Sequence, residues 1–166
     1  AAGSVIVRAA GDAGRPTVEV IYALKADSKR LSITSRFLNE TDSPINVPLF
    51  DDLRVDSRNE DITKSPNGTT DLFWIHDRFW EQAYGIELVG GSIATNSNSR
   101  TSQLHYVIGS NGKSVRLAPG ESYELVRNVF PGTDLPHVRA ISAAAHGDET
   151  RDVETSVFEG LKEPIT

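Results

Sequence analysis

The sequence of 166 residues contains no cysteine, no methionine and no long apolar run. Without cysteine the chain has no disulfide, no thiolate metal site and no cysteine nucleophile. No window approaches the roughly 18 consecutive apolar residues that a membrane-spanning helix needs, so we expect no membrane span. Positive charge is also scarce, since 17 lysines and arginines face 23 aspartates and glutamates. The resulting net charge of −6 argues against binding to nucleic acid, which needs clustered positive charge.

The remaining composition is typical of one globular domain. The length fits a single domain, and a charged fraction of 24% is close to the globular average. The sequence begins with small residues (AAGS, 1–4) of the kind that follow signal-peptidase cleavage. We therefore expect a secreted or cell-surface protein, extracellular or periplasmic; the alternative is a domain excised from a longer chain. Asn39 and Asn67 fit the N-glycosylation pattern, which indicates two surface loops.

Apolar residues recur with a period of two along most of the chain. Residues 17–25 and 30–38 alternate in this way around a short polar stretch, which predicts a hairpin. Asn111 and Gly112 form a second hairpin signal. Further strand-like segments follow at 44–50, 71–76, 84–89, 103–108, 114–118, 121–130, 137–145 and 152–158. Ten to twelve short strands predict an all-β fold, an antiparallel β-sandwich of the immunoglobulin-like or jelly-roll-like kind, or a barrel. Only residues 77–85 offer a helical turn or two.

The first sixteen residues differ in character from the rest. Val5, Ile6 and Val7 form the centre of a short apolar strand, and residues 10–16 have the composition of a flexible joint. We therefore divide the chain into an N-terminal strand and joint (1–16) and a single β-sandwich domain (17–166). The strand is either the first of its own sandwich or an assembly strand that pairs with a neighbour's open edge. The second alternative is typical of a filament subunit or another homo-oligomer.

An aromatic segment at residues 71–85 holds both tryptophans of the chain. Aromatic faces beside carboxylates and amides are suited to sugars, and the same residue types dominate protein–protein contacts. A third alternative is that the rings fill the core or close one end of the sandwich, because burying each one gains about 2–3 kcal/mol. The candidate binding residues are Trp74, His76, Asp77, Trp80, Glu81 and Tyr84.

No motif in the sequence indicates a metal, a cofactor or catalysis. The acidic residues between 51 and 61 lack the spacing of a calcium loop, and arginines interrupt them, which favours a solvated, ion-paired loop. The four histidines lack the i, i+4 spacing of a metalloprotease helix. His105 lies opposite Leu104 and Tyr106 in the strand alternation. There is no nucleophile elbow and no glycine-rich phosphate loop. We therefore expect no metal, no cofactor and no enzymatic activity.

Two segments resemble a known family. Residues 31–47 end a strand in Asn39 and continue through a polar turn and Pro44 into a second strand, and residues 117–125 contain a proline-glycine turn before a late strand. Both are similar to segments of immunoglobulin-like β-sandwich domains of the extracellular or periplasmic bacterial type. The resemblance implies a fold and no catalytic residue, because fold does not imply function.

These observations together favour a non-catalytic secreted or cell-surface β-sandwich that acts as a structural or protein-interaction module. Its N-terminal strand is the most plausible coupling device to a protein partner or a second copy. The alternative is a carbohydrate-binding accessory domain of a secreted carbohydrate-active enzyme, with a glycan bound at the aromatic segment.

Overall fold

The computed structural model describes residues 2–12, 14–98, 100–109 and 112–147. These residues form thirteen strands, one α-helix and a 3-10 helix at Asn59–Asp61. The strands are β1 (Gly3–Ala9), β2 (Thr17–Leu24), β3 (Leu31–Leu38), β4 (Ile45–Pro48), β5 (Phe50–Arg54), β6 (Ile62–Lys64), β7 (Gly68–Thr70), β8 (Leu72–Asp77), β9 (Gln82–Leu88), β10 (Ser92–Ser97), β11 (Thr101–Val107), β12 (Ser114–Leu117) and β13 (Ser122–Gly132). The helix α1 spans Leu135–His146.

The strands form two layers. A seven-stranded antiparallel sheet has the order β1-β2-β3-β13-β9-β8-β6, and a four-stranded sheet has the order β5-β11-β10-β7. A β12–β4 pair continues the smaller sheet, because Leu49 between β4 and β5 bonds to Lys113 and Tyr106 through its backbone, each at 2.9 Å. The predicted all-β antiparallel sandwich is confirmed. The strand order differs from the four-plus-three arrangement of immunoglobulin domains, so the resemblance holds at the level of the sandwich.

The core lies between the two layers. Phe73 and Ile75 of the large sheet meet Ile93, Leu104 and Tyr106 of the small sheet, and all five side chains are buried. Each belongs to an alternating strand whose other face is less buried. The period of two in the sequence therefore marks the core correctly, and it places His105 on the face away from Leu104, as predicted.

A buried polar network joins the same two layers. Arg127 of β13 points into the core, where its guanidinium donates to the Asp51 carboxylate of β5 and to Ser35 Oγ of β3. The guanidinium carbon lies 5.5 Å from the centroid of the Tyr106 ring, and the Tyr106 hydroxyl donates to Asp51 Oδ2 at 2.6 Å. Burial and the neighbouring Asp51 charge raise the pKa of Tyr106, so the tyrosine stays protonated as a donor.

Helix α1 covers the outer face of the large sheet, where the sequence predicts a strand at 137–145. That prediction is wrong. Asp134 caps the helix by accepting from the His137 N–H at 2.8 Å, Pro136 lies in the first turn, and Gly147 ends it at a φ of 77°. These are ordinary start and stop signals of a helix. Val138 of α1 packs with Phe130 in a second apolar cluster on the outer face.

Two other predictions need correction, and two more lie outside the described residues. The Asn39 side chain is fully buried and its Nδ2 donates to the carbonyls of Ser43 at 2.9 Å and Leu117 at 3.0 Å, so the asparagine itself is not at the surface, although the loop that follows it is exposed at residues 40 and 42–44. Asn67 is exposed. Residues 77–85 form a hairpin rather than helical turns. The strand predicted at 152–158 and the turn position at Asn111 lie outside the described residues.

Close approach of α1 to the sheet depends on Gly85 of β9. A Cβ at this position would lie 2.5 Å from Val138 Cγ1. We expect Gly85→Ala to lower the free energy of unfolding by about 1–3 kcal/mol, the usual cost of overpacking, and Val138→Ala in the same chain to recover part of the loss. Gly3→Ala is the control, since nothing lies within 4 Å of its Cβ. Urea unfolding measures the difference, and equal midpoints for the two single variants would contradict this packing.

Candidate binding site at the β8–β9 hairpin tip

The hairpin tip, defined as residues 77–82, is a tightly bonded loop. β8 ends at Asp77 and β9 begins at Gln82, and these two residues are paired. Asp77 Oδ1 accepts from the backbone N–H of Phe79 at 3.1 Å and of Trp80 at 3.3 Å. Glu81 closes the loop at a φ of 51°, a left-handed conformation that short hairpin loops need. An aspartate that caps its own loop in this way fixes the backbone of the residues that follow it.

A second segment supports the hairpin tip from the side. The backbone N–H of Arg78 donates to the Asp61 carbonyl at 2.9 Å, and the Arg78 guanidinium donates to the Glu60 carbonyl. Both carbonyls belong to the 3-10 helix that precedes β6. The tip is therefore held by its own cap and by a neighbouring segment.

Two aromatic rings project from this loop into solvent. Phe79 is 66% exposed and Trp80 is 62% exposed, and their ring centroids are 4.9 Å apart at an interplanar angle of 85°. This aromatic pair contributes little to the core, in contrast to Phe73 of the same segment, which is fully buried. Large exposed rings on a fixed loop lose little conformational freedom when a ligand binds, so the pair is preorganised for contact.

An open cleft of about 320 Å³ lies against the aromatic pair and is lined by Asp56, Ser57, Arg58 and Asp61. The Ser57 side chain is buried, and its hydroxyl has no hydrogen-bond partner among the described residues. Buried hydroxyls are normally bonded, but the Ser57 oxygen has almost no accessible surface, so the polar groups that an incoming ligand can reach are the exposed Asp56 and Arg58 and the half-buried Asp61. The cleft thus places carboxylates and a guanidinium beside two rings.

Three of the six predicted binding residues meet at the hairpin tip. Trp80 supplies an exposed ring, Glu81 follows it in the loop, and Asp77 is the buried cap beneath them. The role of Asp77 is therefore to position the loop. The sequence placed these residues together because they are adjacent along the chain.

The other three predicted residues lie outside the loop. Trp74 pairs with Gly85, and His76 pairs with Ala83, on the face of the sheet that α1 packs against. Tyr84 lies on the opposite face, the face of Asp77, and its hydroxyl donates to Gln82 Oε1 at the base of the tip at 3.0 Å. Alternation along β8 and β9 therefore turns Trp74 and His76 away from Asp77, whereas Tyr84 stays beside the tip.

Trp74 borders a different cleft, of about 390 Å³, which it lines with Arg139 of α1, the turn at 65–67 and strand β7. Its backbone N–H donates to Ser65 Oγ at 2.9 Å. This cleft is walled by the helix that the sequence did not predict.

Sequence reasoning missed the polar partners of the site. The predicted solvated acidic loop contains Arg58 but gives no role to Ser57, and the predicted binding residues do not include Phe79, which adjoins Trp80. The signal that the sequence offers is the position of Phe79 and Trp80 between the predicted strands 71–76 and 84–89, which favours exposure. Nothing in the sequence places the 56–61 segment beside them, since that contact is tertiary.

A buried polar cluster on the other side of α1 was also missed. Glu87 accepts from Asn128 Nδ2 at 2.7 Å and shares a hydrogen bond with His146 Nε2 at 2.8 Å. These contacts fasten the last turn of α1 to β9 and β13, beside a cleft of about 500 Å³ that Arg30 and Asp71 also line. We interpret the cluster as an anchor for the helix.

Metal binding and membrane insertion find no support in the residues that the structure describes. No group of three or more histidines, aspartates or glutamates is placed there to hold a metal ion. The helix in that part of the chain is too short to cross a bilayer.

Several solved structures have a fold similar to that of this chain. No family model matches the sequence, and no curated protein sequence matches it. The galactosidase domain of an α-galactosidase–sucrose kinase superposes with a TM-score of 0.51 at 12% identity over 78% of this chain and 24% of that chain. A GH36 α-galactosidase from Geobacillus stearothermophilus, in complex with 1-deoxygalactonojirimycin, gives a TM-score of 0.52 at 13% identity over 85% and 25%.

A TPR-domain containing protein from Parabacteroides distasonis gives a TM-score of 0.50 at 8% identity over 97% of this chain and 37% of that chain. This chain therefore spans about a quarter of the two galactosidase chains and about a third of the third. At such low identity the similarity shows a shared β-sandwich fold and nothing finer.

The cap at Asp77 yields a prediction about the mobility of Trp80. In a Trp74→Phe background only Trp80 fluoresces, because the chain has two tryptophans. We expect Asp77→Ala to free the loop, lower the fluorescence anisotropy of Trp80 and cost about 1–2 kcal/mol of stability, as for a lost cap. Asp77→Asn retains one acceptor oxygen and should change both quantities less. An anisotropy in Asp77→Ala equal to that of the parent would show that Asp77 does not hold the tip.

Proposed function

We propose that the chain is a non-catalytic binding module whose hairpin tip contacts carbohydrate. The observation that carries the proposal is the exposed aromatic pair, Phe79 and Trp80, fixed on a capped loop beside a cleft of charged and hydroxyl side chains. Exposing two large rings costs hydration free energy, and contiguous exposed apolar surface on a folded protein marks an interaction site.

The chemistry of the cleft favours a sugar over a purely apolar ligand. The C–H faces of a pyranose stack on an indole or phenyl ring, while its hydroxyls need donors and acceptors within reach. Arg58 supplies donors, and Asp56 and Asp61 supply acceptors. Because the loop is bonded before a ligand arrives, little conformational entropy is lost on binding.

The solved structures of similar fold name the first ligands to test. Two of the three are described as α-galactosidases, so galactosides come first in a panel of oligosaccharides. In this proposal the chain is an accessory domain of a secreted carbohydrate-active enzyme, and the catalytic groups lie on another domain or chain. The similarity to those enzymes is one of fold, and the tip residues of this chain carry the argument.

A second candidate function rests on a separate observation, the exposure of β1 on both faces. An exposed strand favours a structural or protein-interaction module, in line with the resemblance to extracellular immunoglobulin-like domains. A single module can serve both functions, since β1 and the β8–β9 tip belong to different parts of the large sheet.

Calorimetric titration with a panel that contains galactosides, glucans and uronic acid polymers tests the proposal. We expect binding by at least one member of the panel and an affinity loss of about tenfold or more in Trp80→Ala, as for a central aromatic contact. Stability should change by less than about 0.5 kcal/mol, because the ring is exposed.

Val89→Ala is the matched control, since Val89 is also a large exposed apolar residue and lies outside the cleft. It should bind like the parent. Absence of heat across the whole panel, or equal affinities for the parent and Trp80→Ala, would refute binding of sugars at the tip.

A further inference from the structure

The large sheet ends in a strand, β1, that no other element of the described residues covers. β1 is bonded only to β2, and its side chains are exposed on both faces of the sheet. Val5, Ile6 and Val7 are 63%, 52% and 53% exposed. A run of three β-branched apolar residues with both faces in water is unusual for an edge strand, because such a strand is a template for further pairing.

The apolar surface continues onto β2 on the inner face. Val5 is paired with Tyr22 and Val7 with Val20, on the side of the large sheet that faces the core elsewhere. Tyr22 remains 38% exposed, so the smaller sheet stops short of this margin. β1 and the adjoining half of β2 thus form an apolar overhang, defined as residues 5–7 and 20–22.

The edge carries few of the devices that usually block pairing. β1 contains no proline and no lysine. Its one charged residue, Arg8, is engaged with Glu19 on the outer face, and Glu19 also bonds Arg36 at 3.2 Å. The charge on the edge is therefore already neutralised within the sheet and does not oppose an incoming strand.

We propose that β1 pairs antiparallel with β1 of a second copy of this chain, about a two-fold axis at Ile6. The apolar part of the strand, Val5-Ile6-Val7, reads the same in both directions from Ile6. Antiparallel pairing sets Ile6 against Ile6, Val5 against Val7, and Ser4 against Arg8. Directly opposed β-branched side chains are favourable cross-strand pairs, and the same residues meet on both sides of the axis, as an isologous interface requires.

Charge favours a second copy as the occupant. In this register the two Arg8 side chains lie at opposite ends of the pair, about 14 Å apart along the strands at 3.4 Å per residue, and each faces an uncharged serine. Two like charges directly opposed would destabilise the pairing, and this register avoids that. In the joined sheet the inner faces of the two copies lie on the same side. The apolar overhang of one copy is therefore next to that of the other.

Sedimentation of the full chain over a range of concentrations tests the pairing. We expect a concentration-dependent dimer for the parent and a monomer for both Ile6→Lys and Ile6→Glu, because each variant sets like charges against each other at the axis. An equimolar mixture of the two variants should recover the dimer, since lysine then faces glutamate. Recovery on mixing is specific to a register that places residue 6 opposite itself.

Val89→Lys is the matched control, because it introduces the same charge at an exposed apolar residue away from β1; it should dimerise like the parent. Circular dichroism should show unchanged strand content in all variants, since Ile6 is exposed. A parent that stays monomeric at the highest concentration, a dimer that persists in both single variants, or a mixture that stays monomeric overturns the proposal. The sugar titrations at the tip are read separately, so failure of one proposal leaves the other standing.

Discussion

A seven-stranded sheet has two faces to cover, and the packing of this chain covers the middle of both. On the inner face the smaller sheet buries Phe73 and Ile75. On the outer face α1 buries Phe130 and Ala83 with Val138. Removal of apolar area from water is the dominant stabilising term in folding, so stability is concentrated where the sheet has a layer on each side. In the described part of the chain the margins lack one or both layers, and the two surfaces proposed for function lie there.

The buried network around Arg127 belongs to this central region. A charged side chain in the core costs free energy unless it is paired and hydrogen-bonded, and here Asp51, Ser35 and the Tyr106 ring meet it from three other strands. Its bonds join both layers in one relative position, whereas apolar contacts alone tolerate small displacements. We infer that the network fixes the relative position of the two layers, in a core whose free energy comes from apolar burial, as buried polar groups do in some proteins.

The two surfaces proposed for function lie outside this doubly covered region and differ in how they are prepared. The hairpin tip is fixed by the Asp77 cap and by Arg78, so its aromatic pair is presented on a rigid support. Among the described residues, β1 is held by its pairing with β2 and by the ion pair of Arg8 with Glu19. A rigid tip suits recognition of a small ligand, and an open edge suits backbone pairing with a strand.

The sequence predicts the part of this structure that depends on local periodicity. Alternation in β11 and β13 marks the strands and their buried faces, because one face of each is dry. In β2 it marks the strand, although Tyr22 and Leu24 on its inner face remain exposed. The strand predicted from alternation at 137–145 is wrong, because Val138 and Ala140 have the spacing of a strand but lie in a helix. Asp134, Pro136 and Gly147 mark the start and the end of that helix. The predicted site combines Trp80 with Trp74 because the two are close along the chain. Closeness along the chain does not put two side chains on one face, since successive residues of a strand point to opposite faces. Contact of Ser57 and Arg58 with the tip depends on tertiary packing, which no local pattern reports.

Native-state hydrogen exchange, resolved by peptide and followed in dilute protein, tests most directly whether stability is concentrated in the doubly covered middle of the sheet. We expect the slowest hydrogen exchange in β9 and β13, because these strands have a layer on both faces. Exchange should be faster in β2 and much faster in β1. Protection of α1 should be lost together with that of β9. Equal protection across all seven strands, or a β1 as slow as β13 in monomeric protein, would contradict it.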